Sequence, residues 1–150
     1  MPATIDLHCH STISDGLFSP ADLVAHAAER GVKVLALTDH DDVGGLQSAR
    51  EAALLHNIKF INGVEISVTW KKRTLHIVGL KVNPDYAPLK NALDEVRTGR
   101  DERAREMGAD LTRVGIHGAY EGAKALAGTS IITRTHFASF MVQAGHAKDR

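Results

Sequence analysis

The feature that most restricts the fold is an alternation of apolar strand patterns and amphipathic helix patterns between Ile5 and Val64. Ile5 to His8 alternates in character and leads into Ser11, Thr12, Ser14, Asp15 and Gly16, a polar loop after a strand. Ser19 opens a helix: Pro20 suits its first position, Asp22 follows as in a capping box, and Leu23, Val24 and Ala27 form an apolar face before Gly31. Val32, Val34, Leu35, Ala36 and Leu37 make the near-continuous apolar run of a strand covered on both faces, which stops at Thr38, Asp39 and His40. Asp41 or Asp42 is expected to cap a second helix carrying Val43, Leu46, Ala49, Ala53 and Leu54, after which Phe60, Ile61 and Val64 read as a third strand. Strand, helix, strand, helix, strand in so short a span requires right-handed βαβ units and a parallel sheet of neighbouring strands.

Ile66, Val68 and Trp70, then Leu75, Ile77 and Val78, read as a hairpin with a solvated turn at Lys71, Lys72 and Arg73, and Trp70 is read as packing. After Pro84 the character changes. Leu89 to Val114 is charge-dense with helical periodicity, Arg97, Asp101 and Arg105 lie one turn apart, and Arg134 to Ala144 reads as a last helix. The expected organisation is therefore 1–84, a β-rich core, and 85–150, a helical insertion or subdomain. With 43% hydrophobic and 24% charged residues, the chain is neither disordered nor collagen-like. Lys plus Arg at 18 balance Asp plus Glu at 18, which argues against a broad basic surface for duplex DNA. No apolar run is long enough for a membrane helix, and the single cysteine, Cys9, read as buried and inert, cannot form an internal disulfide. A cytoplasmic protein with no membrane partner is the expectation.

Nine histidines in 150 residues direct attention to metal and proton-transfer chemistry. In an extended strand residues two apart share a face, so His8 and His10 project together while Cys9 points away. Taken alone, two strand-end histidines bonded to backbone groups explain that pattern as well as a metal clamp does. Other polar residues follow at further strand ends: Asp15 in the first loop, His40 after the second strand, Glu65 after the third, and His76 in the hairpin. In parallel α/β folds the C-terminal strand ends meet at one rim, so these residues converge. Four imidazoles and two carboxylates exceed one structural zinc and suit two or more catalytic ions, with zinc, manganese or iron favoured over magnesium or calcium. Such ions generate hydroxide at neutral pH and clamp the oxygens of an in-line displacement.

Asp6-Leu7-His8-Cys9-His10-Ser11, Ser14-Asp15-Gly16, Leu37-Thr38-Asp39-His40-Asp41, Gly63-Val64-Glu65 and His76-Ile77-Val78-Gly79 resemble, in order and spacing, the signatures of the PHP (polymerase and histidinol phosphatase) superfamily. The resemblance implies a distorted (β/α)7 barrel, here its N-terminal part, with a helical insertion after about residue 84. It also implies two or three divalent ions, manganese first and zinc or iron as alternatives, with His8, His10, Asp15, His40, Glu65 and His76 at the family's first six ligand positions. The segment Ile132-Thr133-Arg134-Thr135-His136-Phe137-Ala138 resembles the branch of nucleoside 3′,5′-bisphosphate phosphatases and 5′-to-3′ exoribonucleases, in which Arg134 and His136 would contact substrate phosphate. Independently, a guanidinium fork matches phosphate oxygens and Arg134 lies at an apparent helix start. An arginine in a surface pair and a histidine capping a helix are the alternative reading.

The family pattern continues with another histidine and an Asp-x-His motif, which this sequence lacks, so the chain is expected to be a fragment of a longer enzyme. The activity implied is hydrolysis of a phosphate monoester on a small nucleotide or a short oligonucleotide end, with the general acid unassigned. A histidinol-phosphate phosphatase and a non-catalytic metal-binding docking module are the competing expectations. Asp39 either orients a ligand histidine or satisfies backbone amides at its strand end.

Overall fold

A computed structural model describes residues 4–71 and 73–149. The elements run β1 (Thr4–Cys9), α1 (Pro20–Glu29), β2 (Val32–Leu37), α2 (Leu46–Leu55), β3 (Lys59–Trp70), β4 (Arg73–Leu80), α3 (Ala87–Arg113), α4 (Ala119–Ala127) and α5 (Arg134–Gln143). Lys72, in the expected hairpin turn, lies outside the described residues. The chain divides into two compact units between Asp94 and Glu95, within α3.

The first unit contains a curled half-barrel sheet in the order β1-β2-β3-β4. The two βαβ units are present: β1 pairs parallel with β2, and β2 with β3. β3 is a single long strand that changes partner. Its Lys59–Asn62 stretch pairs with β2, and from Gly63 onward it pairs antiparallel with β4. Gly63 sits where a Cβ would lie 2.6 Å from Thr38 Cγ2 and 2.8 Å from the Leu37 carbonyl, so this switch point has no room for a side chain. The core joins α1, β2 and α2 through Val24, Leu35, Leu37, Leu46, Ala49 and Ile58. Leu35 and Leu37 are each about fully buried, a contribution of roughly 1.5–3 kcal/mol apiece. The outer strands expose Ile5 and Leu7 on β1 and Leu75, Ile77 and Leu80 on β4.

Local chemistry explains the helix starts, with one difference. Ser19 caps α1, its hydroxyl accepting from the Asp22 N–H at 3.2 Å. α2 begins only at Leu46, with Gly45 as its N-cap and no side-chain cap. Neither aspartate caps it, because Asp41 Oδ1 accepts from the Ser67 N–H of β3 at 2.7 Å and Asp42 Oδ1 accepts from the Gly44 N–H at 2.7 Å. Trp70 differs as well: at the end of the hairpin its side chain is exposed, with Lys71 Nζ 5.7 Å from the ring centroid. Among the described residues no helix is long and apolar enough to cross a membrane.

The second unit is helical. Ala104, Ala119, Ala123 and Phe137 form its buried cluster, ringed by Met107, Leu111, Ile116, Tyr120, Ile132 and Phe140. Gly122 allows α4 and α5 to meet, since a Cβ there would overlap the Phe140 ring. On its surface Asp101 accepts from Tyr120 Oη–H at 2.9 Å and pairs with Arg105 Nε at 3.1 Å, the one-turn spacing expected of a charged helix face.

Candidate metal centre

Strand-end backbone bonds bring the polar residues of the first unit together. The Thr38 N–H donates to the Cys9 carbonyl at 2.9 Å, joining the end of β2 to the end of β1. One step on, the Glu65 N–H donates to the Asp39 carbonyl at 3.1 Å and the Asp41 N–H to the Glu65 carbonyl at 2.9 Å, so His40 is paired beside Glu65 in a parallel bridge. After β1 the chain folds back tightly. The Ser14 and Gly16 N–H groups both donate to the Ser11 carbonyl, at 3.1 and 2.9 Å, and a Cβ on Gly16 would overlap the His10 carbonyl. This turn aims Asp15 back at His10.

All six residues converge, although Glu65 lies within β3 rather than after it, because that strand runs on to pair with β4, and His76 lies within β4. Glu65 Oε2 lies 2.7 Å from His8 Nε2, 2.8 Å from His10 Nε2 and 3.8 Å from His40 Nδ1, while Glu65 Oε1 lies 3.4 Å from His76 Nδ1. Asp15 Oδ1 lies 2.9 Å from His10 Nδ1, and Asp15 Oδ2 lies 3.9 Å from His40 Nε2. The alternative of isolated histidines bonded to backbone therefore does not describe His8 and His10, whose rings, with centroids 5.2 Å apart, meet at one carboxylate oxygen. Cys9 faces away as expected. Its half-buried thiol donates to the Ala36 carbonyl at 3.2 Å, and burial pushes its pKa up to about 12, so it is no thiolate ligand.

The electrostatics follow from two carboxylates among four imidazoles. Burial works to raise the Glu65 pKa, but the hydrogen bond from His8 and the charges of His40, His10 and His8 outweigh it and hold the pKa low. For His10 burial works downward, yet the hydrogen bond to Asp15 and the charges of Asp15, Glu65 and Asp39 prevail and raise the pKa. Asp39 is itself pushed up by burial, partly offset by hydrogen bonds from Ser14 and Ser11.

The donor set fits divalent ions. Three groups, His8-His10-Glu65, His10-Asp15-His40 and His40-Glu65-His76, each place their ligand atoms within 4.8 Å of one another. Ligand atoms at about 2.0–2.2 Å from a tetrahedral ion sit about 3.3–3.6 Å apart. The 3.4–3.9 Å separations around His40 and His76 are near that spacing and too long for hydrogen bonds. His10, His40 and Glu65 are each shared between two of the three groups.

Arg134 and His136 belong to the second unit, at the start of α5. Arg134 is exposed, and His136 Nδ1 accepts from the Thr133 N–H at 3.0 Å, which completes a capping box and fixes the ring. The capping role foreseen for a histidine here is thus present. Sequence patterning gave no bracing role to Ser11, Ser14, Ser67 or the buried side chain of Asp41, which hold together the segments that carry the six converging residues. Their signal was faint: small polar residues at the ends of apolar runs, where loops ordinarily carry them.

The family model described as PHP domain matches residues 6–137. The chain belongs to the PHP-domain family. Among curated PHP relatives, it is 48% identical over 98% of its length to a 3′,5′-nucleoside bisphosphate phosphatase of Chromobacterium violaceum, covering 52% of that protein. It is 46% identical over 97% of its length to a 5′-3′ exoribonuclease of Haemophilus influenzae, covering 53% of it. The PHP chain thus spans about half the length of these relatives. A solved structure of an amidohydrolase from Chromobacterium violaceum, with bound sulfate and no metal, superimposes with a TM-score of 0.93 at 48% identity, over 98% of this chain and 52% of that one. A candidate metal-dependent phosphoesterase from Bifidobacterium adolescentis gives a TM-score of 0.86 at 26% identity, over 99% of this chain and 52% of that one. The expected fold class, α/β of the PHP type, is the fold observed, as a curled half-barrel sheet of four strands with helices.

Proposed function

We propose that this chain carries the metal-binding part of a divalent-metal-dependent phosphoesterase that hydrolyses a phosphate monoester of a small nucleotide, a nucleoside 3′,5′-bisphosphate, or of a short oligonucleotide end. The observation that carries the reading is the convergence of His8, His10, Asp15, His40, Glu65 and His76 into three overlapping ligand groups. The names of the relatives from Chromobacterium violaceum and Haemophilus influenzae support the substrate class. In this reading residues 1–84 are the N-terminal part of the barrel and 85–150 its helical insertion. The exposed apolar side chains on β1 and β4 support a sheet that further strands complete. The single cysteine, hydrogen-bonded to a carbonyl, fits a cytoplasmic location.

Two or three ions, manganese in our reading, would supply charge neutralisation of phosphate oxygens and a water of lowered pKa. The chain's own residues set up that chemistry. Glu65, held ionised by its histidine neighbours, and Asp15 present anionic oxygens to cations, and His8, His10, His40 and His76 present neutral imidazole nitrogens once deprotonated. Arg134, at a helix start, offers a fork to a second phosphate of the substrate, and His136 is oriented beside it by the Thr133 cap. Phosphate release from a nucleoside 3′,5′-bisphosphate with manganese, measured on the whole protein, tests the reading. His8→Ala and His40→Ala should each abolish turnover, whereas wild-type rates in both would overturn it. Arg134→Ala should raise KM for the bisphosphate more than for a monophosphate.

A further inference from the structure

His40 is flanked by two aspartates that are both buried, 2% and 0% exposed, and that reach in opposite directions. Asp39 reaches back to the β1 loop. Its Oδ1 accepts from the Ser11 N–H at 2.8 Å and the Ser14 hydroxyl at 2.6 Å, and its Oδ2 accepts from the Ser11 hydroxyl at 2.7 Å. Ser11 and Ser14 are themselves fully buried and bracket the turn that ends in Asp15. Asp41 reaches forward to β3, where its Oδ1 accepts from the Ser67 N–H at 2.7 Å. Ser67 lies opposite His76 in the β3–β4 ladder, with its hydroxyl 3.3 Å from His76 Nδ1, and Glu65 stands two residues before it on the same face. Asp41 adopts φ 51°, a left-handed conformation that aspartate and asparagine tolerate better than most residues.

Burying two carboxylates beside a cluster that already holds two more is costly unless each makes several charge-assisted hydrogen bonds. Asp39 accepts three, from Ser11 and Ser14, and Asp41 accepts from the Ser67 N–H of a different strand. We propose that Asp39 and Asp41 are positioning residues that act on opposite halves of the metal centre. Asp39 holds the His10-Asp15 side through Ser11 and Ser14. Asp41 holds the Glu65-His76 side through Ser67. The Thr38–Asp41 segment thereby sets the spacing between ligand groups that share His40. The inference rests on the metal-centre reading above.

Manganese titration calorimetry on the full chain, with cobalt absorption spectra as a report on ligand geometry, tests both levels separately. Asp39→Ala should weaken the ion at the His10-Asp15-His40 group by about 10–100-fold and leave the His40-Glu65-His76 ion near its wild-type affinity. Asp41→Gly, which keeps the left-handed backbone but removes the acceptor, should do the reverse. Asp41→Asn, which keeps both the backbone and an acceptor for the Ser67 N–H, should restore wild-type binding. If Asp39→Ala fails to fold, Ser14→Ala, which deletes one donor to the same carboxylate, should show the same selectivity with a smaller loss. Equal weakening of every ion by both kinds of variant, or no weakening by either, overturns the positioning roles while leaving the metal centre standing. Wild-type chain that binds no manganese overturns the metal-centre reading itself.

Discussion

The two units bury different things. In the first, the buried residues include Ser11, Ser14, Thr38, Asp39 and Asp41 in the loops after β1 and β2, and Glu65 and Ser67 within β3, beside a core of aliphatic side chains. In the second, the buried side chains among the described residues are those of Ala104, Ala119, Ala123, Ala127 and Phe137, with Thr133 as the buried polar residue at the start of α5. Buried polar groups are tolerated only where each is hydrogen-bonded, so a dense set of them marks the place where geometry is held for something other than stability. The helical unit carries its charge on the surface and holds together by close helix contact.

Core truncations should show the largest effects and should separate the two units. Phe137→Ala is expected to destabilise the helical unit by about 3–5 kcal/mol, and Leu35→Ala the half-barrel by about 2–5 kcal/mol. Hydrogen exchange resolved by segment checks this: Phe137→Ala should loosen α4 and α5 while manganese binding at the histidine cluster survives, and loss of binding in that variant would break the distinction. Thr133→Ala removes the cap of α5 and should cost about 0.5–2 kcal/mol, read as faster exchange in its first turn. Smallest is Arg105→Ala, about 0.3–0.5 kcal/mol from an exposed one-turn pair, measured as a shift in urea midpoint that fades in high salt.

Acidity sharpens the same contrast in the metal-free chain. His10, with its folded pKa raised, contributes stability that is complete below its ordinary value of 6.5 and lost as pH rises through the folded pKa. Glu65, with its folded pKa lowered, contributes stability present above 4.5 and lost as pH falls through the folded pKa. The half-barrel should therefore be most stable between about pH 4.5 and 6.5, and saturating manganese should move the optimum upward because ions displace the protons. In the helical unit Asp101 is held low by the Tyr120 hydroxyl and by Arg105, but it is exposed and screened, so melting of that unit should vary little over this range. Thermal melts from pH 4 to 8 with and without manganese give both curves.

How much was legible in the sequence divides along the same line. The βαβ order, the hairpin and the six converging residues His8, His10, Asp15, His40, Glu65 and His76 are readable because strand and helix periods differ and because histidines and carboxylates are rare near the ends of apolar runs. The start of α2 is not readable, since Asp41 looks like a cap and its real partner, the Ser67 N–H, is 26 residues away. Trp70 looks like core by residue type, yet it stands at the tip of a hairpin whose last pair, Trp70 and Arg73, has little beneath it. The Asp39 network is hidden for the same reason as Asp41: serines in a loop carry no pattern until the fold brings a buried carboxylate among them.

The most direct test of the central claim is the manganese content of the chain after equilibration and desalting, measured by elemental analysis beside the Glu65→Ala variant. Two or more ions per wild-type chain, with a marked loss in Glu65→Ala because that carboxylate serves two of the three ligand groups, is the predicted result. A wild-type chain that retains no manganese, or a Glu65→Ala chain that retains as much as wild type, would contradict it.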